Sequence, residues 1–188
     1  AAKEHLHFGE FRAALPLLSW REEALQKLAI PDGDPRWVEG WLLRGELEQI
    51  TGHLGEARRW LKRTLPWLDE DLLLKARALK NLGLADRFGG AYESARGLFE
   101  EVASLGLRAK HPAIVANAQQ ELGWILTRLG RLKESTKQFQ EAMTILKDHE
   151  DEFEEALCVL GLAANDLHSG LKDSTEVNMN SALQVFQR

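Results

Sequence analysis

Glycine returns along this chain at a nearly constant interval: Gly9, Gly52, Gly90, Gly130 and Gly170 are separated by 43, 38, 40 and 40 residues. Four of them begin the same order of residue types, in Gly52-His53-Leu54-Gly55-Glu56-Ala57, Gly90-Ala91-Tyr92-Glu93-Ser94-Ala95, Gly130-Arg131-Leu132-Lys133-Glu134-Ser135 and Gly170-Leu171-Lys172-Asp173-Ser174-Thr175. Gly9-Glu10-Phe11-Arg12-Ala13-Ala14 opens the series. A repeat of this length is one supersecondary unit that cannot bury its apolar face alone, so successive units have to stack.

The residues around each glycine say what the unit is. Seven residues before three of the turn glycines stands another glycine, Gly45, Gly83 or Gly123, inside an apolar-periodic stretch. A mid-helix glycine costs about 1 kcal/mol relative to alanine, and close approach of a neighbouring helix is the compensation. Five residues after the turn comes a small residue, Ala57, Ala95, Ser135 or Thr175. Four further on, on the same helical face, comes a larger apolar one, Leu61, Phe99, Phe139 or Met179. The turn glycine supplies the left-handed conformation that closes a helix. The spacing predicts paired helices at 36–51 and 54–67, 71–89 and 92–106, 112–129 and 132–148, and 151–169 and 172–187. Pro31-Asp32-Gly33-Asp34-Pro35 reads as a loop and Pro112 as a first helical turn. Pro16 predicts a kink or restart in a helix running from Glu10 to Leu28.

Trp41-x-x-x-Gly45, followed by Gly52, Leu54, Ala57 and Leu61, resembles the signature of the tetratricopeptide repeat family in order and spacing. The resemblance runs over nearly the whole chain, with a half-repeat at 1–30 and repeats at about 36–69, 71–107, 112–148 and 151–188. It implies an all-α fold: one domain built as a right-handed solenoid of antiparallel helix pairs, whose first helices line a concave surface. The period near forty exceeds the family's usual length of about 34, and is similar to that of the longer repeats in large bacterial transcriptional activators. In the last unit Ala163 and Thr175 stand where glycine and alanine are usual. The chain begins Ala1-Ala2-Lys3-Glu4-His5, without an initiator Met or the apolar stretch of a signal peptide, and so reads as the cut end of a longer polypeptide or as a chain whose Met was removed. Uncapped ends of a stack predict neighbouring repeats, a partner or self-association there.

Composition narrows the function. The formal net charge is −5; the first 94 residues carry 14 basic and 15 acidic side chains, the remainder 10 and 14. Neither part has the positive excess that nonspecific nucleic-acid binding exploits. No apolar run reaches the roughly 18 residues of a membrane span. The single cysteine, Cys158 in Leu157-Cys158-Val159-Leu160, excludes an internal disulfide and reads as a small buried hydrophobe in a cytoplasmic protein. His5 and His7 point in different directions on a helix, and His53, His111, His149 and His168 are scattered, so no metal set is expected. The glycines belong to turns rather than to a phosphate cradle, and the acidic run from Asp148 to Glu155 reads as a helix entry. These observations point to a binding protein without cofactor, not an enzyme.

The family resemblance assigns groove-facing positions. They are Glu39, Leu42, Glu46 and Gln49; Arg77, Lys80, Asn81, Leu84 and Arg87; Asn117, Gln120, Trp124, Thr127 and Arg128; and Leu157, Leu160, Ala164 and Leu167. Arg77, Lys80, Asn81, Arg87, Asn117, Gln120, Trp124 and Arg128 form the candidate site, a polar, cationic surface beside one aromatic. Such a surface suits a protein or an acidic, carboxylate-bearing peptide through charge-assisted hydrogen bonds. The carboxylate clamp of some family members is incomplete, because Glu46 stands where it needs asparagine. A ligand-sensing or inhibitor-binding segment of a larger regulator and a self-associating spacer are the competing readings.

Overall fold

The computed structural model describes residues 11–149 and 151–187, and among them every regular element is helical. They fall into two compact units, divided between Ala91 and Tyr92. The first unit contains α1 (Phe11–Lys27), α2 (Pro35–Ile50), α3 (Leu54–Thr64), a 3-10 turn (Leu65–Trp67) and α4 (Leu72–Phe88). The second contains α5 (Tyr92–Arg108), α6 (Pro112–Arg128), α7 (Leu132–Asp148), α8 (Glu152–His168) and α9 (Lys172–Phe186). Gly9, His5 and His7 lie outside the described residues.

In the first unit, α1 lays Ala14 and Leu18 against Leu43 and Leu47 of α2. Ion pairs Arg21–Glu39 at 2.8 Å and Arg44–Glu22 at 3.0 Å flank that seam. The restart expected at Pro16 is absent, and α1 runs through it as one helix. Pro16 is exposed, so its ring meets solvent and the missing N–H removes a single ladder bond from the helix. Asp34 caps α2 by accepting the N–H of Arg36, whose guanidinium holds the Asp34 carboxyl down at about 2. Gly45 lets α3 close onto α2: a Cβ there would stand 2.6 Å from Leu61. Trp41 is fully buried in the same hairpin, stacked on Trp37 at 5.9 Å with Arg63 over its outer face at 4.1 Å. α3 ends at Thr64, earlier than the spacing predicts, because Pro66 cannot donate and the chain tightens into the 3-10 turn. Arg58 of α3 then donates to the carbonyl of Ala85 and pairs with Asp86, a cation placed at the C-terminal end of α4.

In the second unit Gly106 of α5 packs against Ile114 and Val115 of α6. Phe139 of α7 packs between the neighbouring helices α6 and α8. Its ring is fully buried between Gly123 of α6 and Gly161 of α8, where added Cβ atoms would lie 2.7 and 2.2 Å from it. A buried aromatic of this kind contributes roughly 1.5–3 kcal/mol by transfer alone. Behind it a polar cluster joins three helices. Thr127 donates to Asn165 Oδ1 at 2.7 Å, Ser135 donates to the Gly123 carbonyl at 2.8 Å, and Asn165 Nδ2 donates to Ser135 at 2.9 Å. Asp151, from the acidic run, caps α8 by accepting the N–H of Glu154. Ala57, Ala95, Ser135 and Thr175 are all buried, as the repeat requires, but Met179 is 51% exposed. Among the described residues no helix covers α9 in the way α8 covers α7.

Candidate binding surfaces

The first unit brings Arg77 and Asn81 together on one acid. Arg77 Nε and Nη2 donate to Glu46 Oε1 and Oε2, both at 2.6 Å, while Asn81 Nδ2 donates to Oε1 at 3.0 Å. Glu46 is buried, so the guanidinium is held as a planar fork across α2 and α4. The positive charge expected to face a partner at Arg77 is therefore balanced within the chain. Replacing Glu46 by Gln should cost about 1–2 kcal/mol in urea unfolding, since Arg77 stays hydrated enough to limit the loss. Leu42 and Gln49 are buried, Leu84 and Glu39 half-buried. Lys80 is half-buried and forms no ion pair among the described residues. Arg87 lies over the Phe88 ring at 4.4 Å.

The second unit brings Asn117 and Gln120 into one small pocket of 160 Å³ between α6 and α8, with Leu146, Asp151 and Glu154 on its walls. Gln120 is buried and donates to Glu154, at 3.2 Å to the backbone oxygen and 3.0 Å to Oε2. Asn117 Oδ1 is buried at the pocket without a hydrogen-bond partner. Trp124 is half-buried and meets Phe139 edge-on at 5.4 Å, so part of its ring serves the core. Arg128 is exposed at the end of α6, and Thr127 is committed to the buried polar cluster. Leu157, Leu160 and Ala164 are half-buried and Leu167 is exposed.

A family model described as tetratricopeptide repeat matches residues 115–149, which take in most of α6 and all of α7. No curated protein matches the chain. Among solved structures, BtubC (BKLC) from P. vanneervenii is 20% identical, with 99% of this chain and 77% of that chain covered and a TM-score of 0.80. The apo form of RapI is 12% identical, with 96% and 66% covered and a TM-score of 0.85. A putative kinesin light chain of Podosopora anserina with nearly identical TPR-like repeats is 16% identical, with 98% and 90% covered and a TM-score of 0.75. The chain has the tetratricopeptide-repeat fold. The all-α solenoid class implied by the family resemblance is the class of these structures.

Within that fold the candidate residues divide by role. Asn81, Gln120 and Thr127 face neighbouring first helices and hold one tetratricopeptide hairpin against the next. Lys80, Asn117, Trp124 and Arg128 keep surface or an unused acceptor available. Cys158 is buried beside Gln120, and burial pushes its thiol up to about 12. A thiol reagent at pH 8 should leave native protein unlabelled and react stoichiometrically after unfolding in urea, which absorbance titration reads directly. Among the described residues no helix is long and apolar enough to cross a membrane.

Proposed function

We propose that the chain is a tetratricopeptide scaffold module that binds a protein or peptide through the open faces of its first helices, rather than an enzyme. The observation that carries this reading lies in the hairpin matched by the family model. Asn117 presents a buried, unpartnered acceptor at a small pocket, while exposed Arg128 and half-buried Trp124 stand on the same helix. A buried acceptor left without a donor costs about 1–3 kcal/mol, and a partner that opens the pocket would supply the missing N–H. The single buried thiol suits a reducing, cytoplasmic setting. An acidic partner would have to engage Lys80 or Arg128, because Arg77 is already paired with Glu46.

The test is a pull-down with the parent chain and an Asn117→Ala, Arg128→Ala double variant of equal helicity. A prey retained by the parent and lost by the variant supports the first-helix site. Equal capture by both would place binding elsewhere, and a prey whose capture needs Lys80 or Arg128 and weakens with salt would restore the acidic-partner reading. A ligand-sensing role in a larger regulator remains an alternative that the identity of the prey separates.

One observation favours a second reading, self-association. Met179 and Leu183, forty residues after buried or half-buried Phe139 and Met143, are half exposed, with Val177 beside them at 67%. A second copy laying its own α9 there would bury the same face on both molecules. Sedimentation velocity across a wide concentration range tests this, and a Leu183→Lys variant should abolish any dimer. Monomer at every concentration sinks it.

A further inference from the structure

The first unit carries a cleft of 420 Å³ that takes in the groove-facing positions Glu39, Leu42 and Arg77, formed by the loop before α2, the face of α2, the 3-10 turn and the start of α4. Its volume lies within the range of small-ligand sites. Val38, Leu42 and Leu68 make an apolar floor. Trp67, 50% exposed, and Leu74, 37% exposed, form the open wall. The wall is preformed. Gly33 has φ +88°, and a Cβ there would fall 2.1 Å from the Trp67 ring, so the indole lies directly on glycine backbone. An aromatic fixed before binding loses little entropy when a ligand arrives.

The charges around this cleft decide what can enter it. Arg36 is held by both oxygens of Asp34, Arg77 by both oxygens of Glu46, and Glu39 by Arg21. Asp71 remains. Its Oδ1 accepts the N–H groups of Leu73 and Leu74 at the start of α4, and it forms no ion pair among the described residues. Glu70 precedes it in the chain and is likewise exposed, so the edge carries net negative charge over an apolar interior.

We propose that this cleft docks a peptide segment presenting one bulky apolar side chain with lysine or arginine beside it. The apolar side chain fills the space over Leu42 and Leu68, and the cation reaches the Asp71 carboxylate, with the Trp67 ring available to a guanidinium passing over it. This assignment rests on the reading of the chain as a peptide-binding module, and it gives that module a partner of opposite charge to the one its cationic groove positions imply.

The experiment is selection of a random short-peptide display library on the whole chain, followed by anisotropy titration of the enriched peptides. Two variants accompany it. Leu74→Lys sends a charge into the cleft from an exposed position, and Asp71→Asn keeps a good helix cap while removing the carboxylate. The expected result is enrichment of Phe, Leu, Ile or Trp next to Lys or Arg. Binding should then weaken roughly tenfold or more in Leu74→Lys and a few-fold in Asp71→Asn, with a shallower salt dependence in the latter. Enriched peptides flanked by acids, or binding unchanged in Leu74→Lys, would overturn the assignment. Peptides indifferent to Leu74→Lys but lost in Asn117→Ala would leave the module reading standing and remove only this site. No enrichment at all would count against both. Phenethylammonium alone binding as tightly as the best peptide would make the occupant a small organic cation and overturn the peptide.

Discussion

Phe139→Ala should destabilise the second unit by about 3–5 kcal/mol. The transfer term is ordinary, but the cavity term is not. The ring fills the space between Gly123 and Gly161, two positions with no side chain of their own to move into the gap. It is also the partner against which Trp124 sets its edge. Collapse would require α6 and α8 to close by the thickness of an aromatic ring while keeping the polar cluster behind it in register. Hydrogen exchange of the segments around Gly123 and Gly161 reads the loss locally and should speed up by roughly a hundredfold or more. Trp124 is the only tryptophan after residue 67, so its environment reports on this unit through the difference between the parent and a Trp124→Phe background. A loss below about 1 kcal/mol would mean that the helices do close, and that the two glycines mark flexibility rather than tight packing.

That contact also shows where sequence reasoning ends. The turn glycines and the small and large residues after them were legible because their period is written along the chain, and α7 has the bounds its spacing predicts, 132–148. Gly161 was not legible. The repeat frame places Ala163 at the position equivalent to Gly45 and Gly123, so Gly161 falls outside the grammar; its reason is Phe139 of the preceding hairpin, a contact between hairpins rather than within one. The candidate site fails to be legible for the same cause. Helical phase says that Arg77, Asn81 and Gln120 share faces with first-helix positions, but not that Glu46, 31 residues before Arg77, takes its charge, or that Glu154, 34 residues after Gln120, takes its amide. Periodicity assigns direction; depth depends on the next repeat. The 3-10 turn at Leu65–Trp67 is the local counterpart, where one proline shortened a helix and put Trp67 on the wall of a cleft.

Asn165→Leu should cost about 2–3 kcal/mol, although it exchanges a polar side chain for an apolar one in a buried place. Burial alone would predict a gain. The local hydrogen bonds reverse the sign. Asn165 uses both ends of its amide: Oδ1 accepts from Thr127 on α6, while Nδ2 donates to Ser135 and Thr136 on α7. Leucine can neither accept from Thr127 nor donate to Ser135. Thr127 falls back on the Gly123 carbonyl at 3.0 Å, which Ser135 also uses, or on Ser135 Oγ at 2.8 Å, so two hydroxyls are left to share acceptors without the amide that joined them to α8. A partly satisfied buried network is worse than none. Asn165→Leu combined with Ser135→Ala and Thr127→Val should therefore recover most of the loss, because the three buried members then become apolar together while Thr136 is only half-buried. Urea unfolding of the single and triple variants measures this directly. A triple variant no more stable than the single one would show that the cluster contributes through shape, and that its hydrogen bonds are incidental to holding α6, α7 and α8 in register.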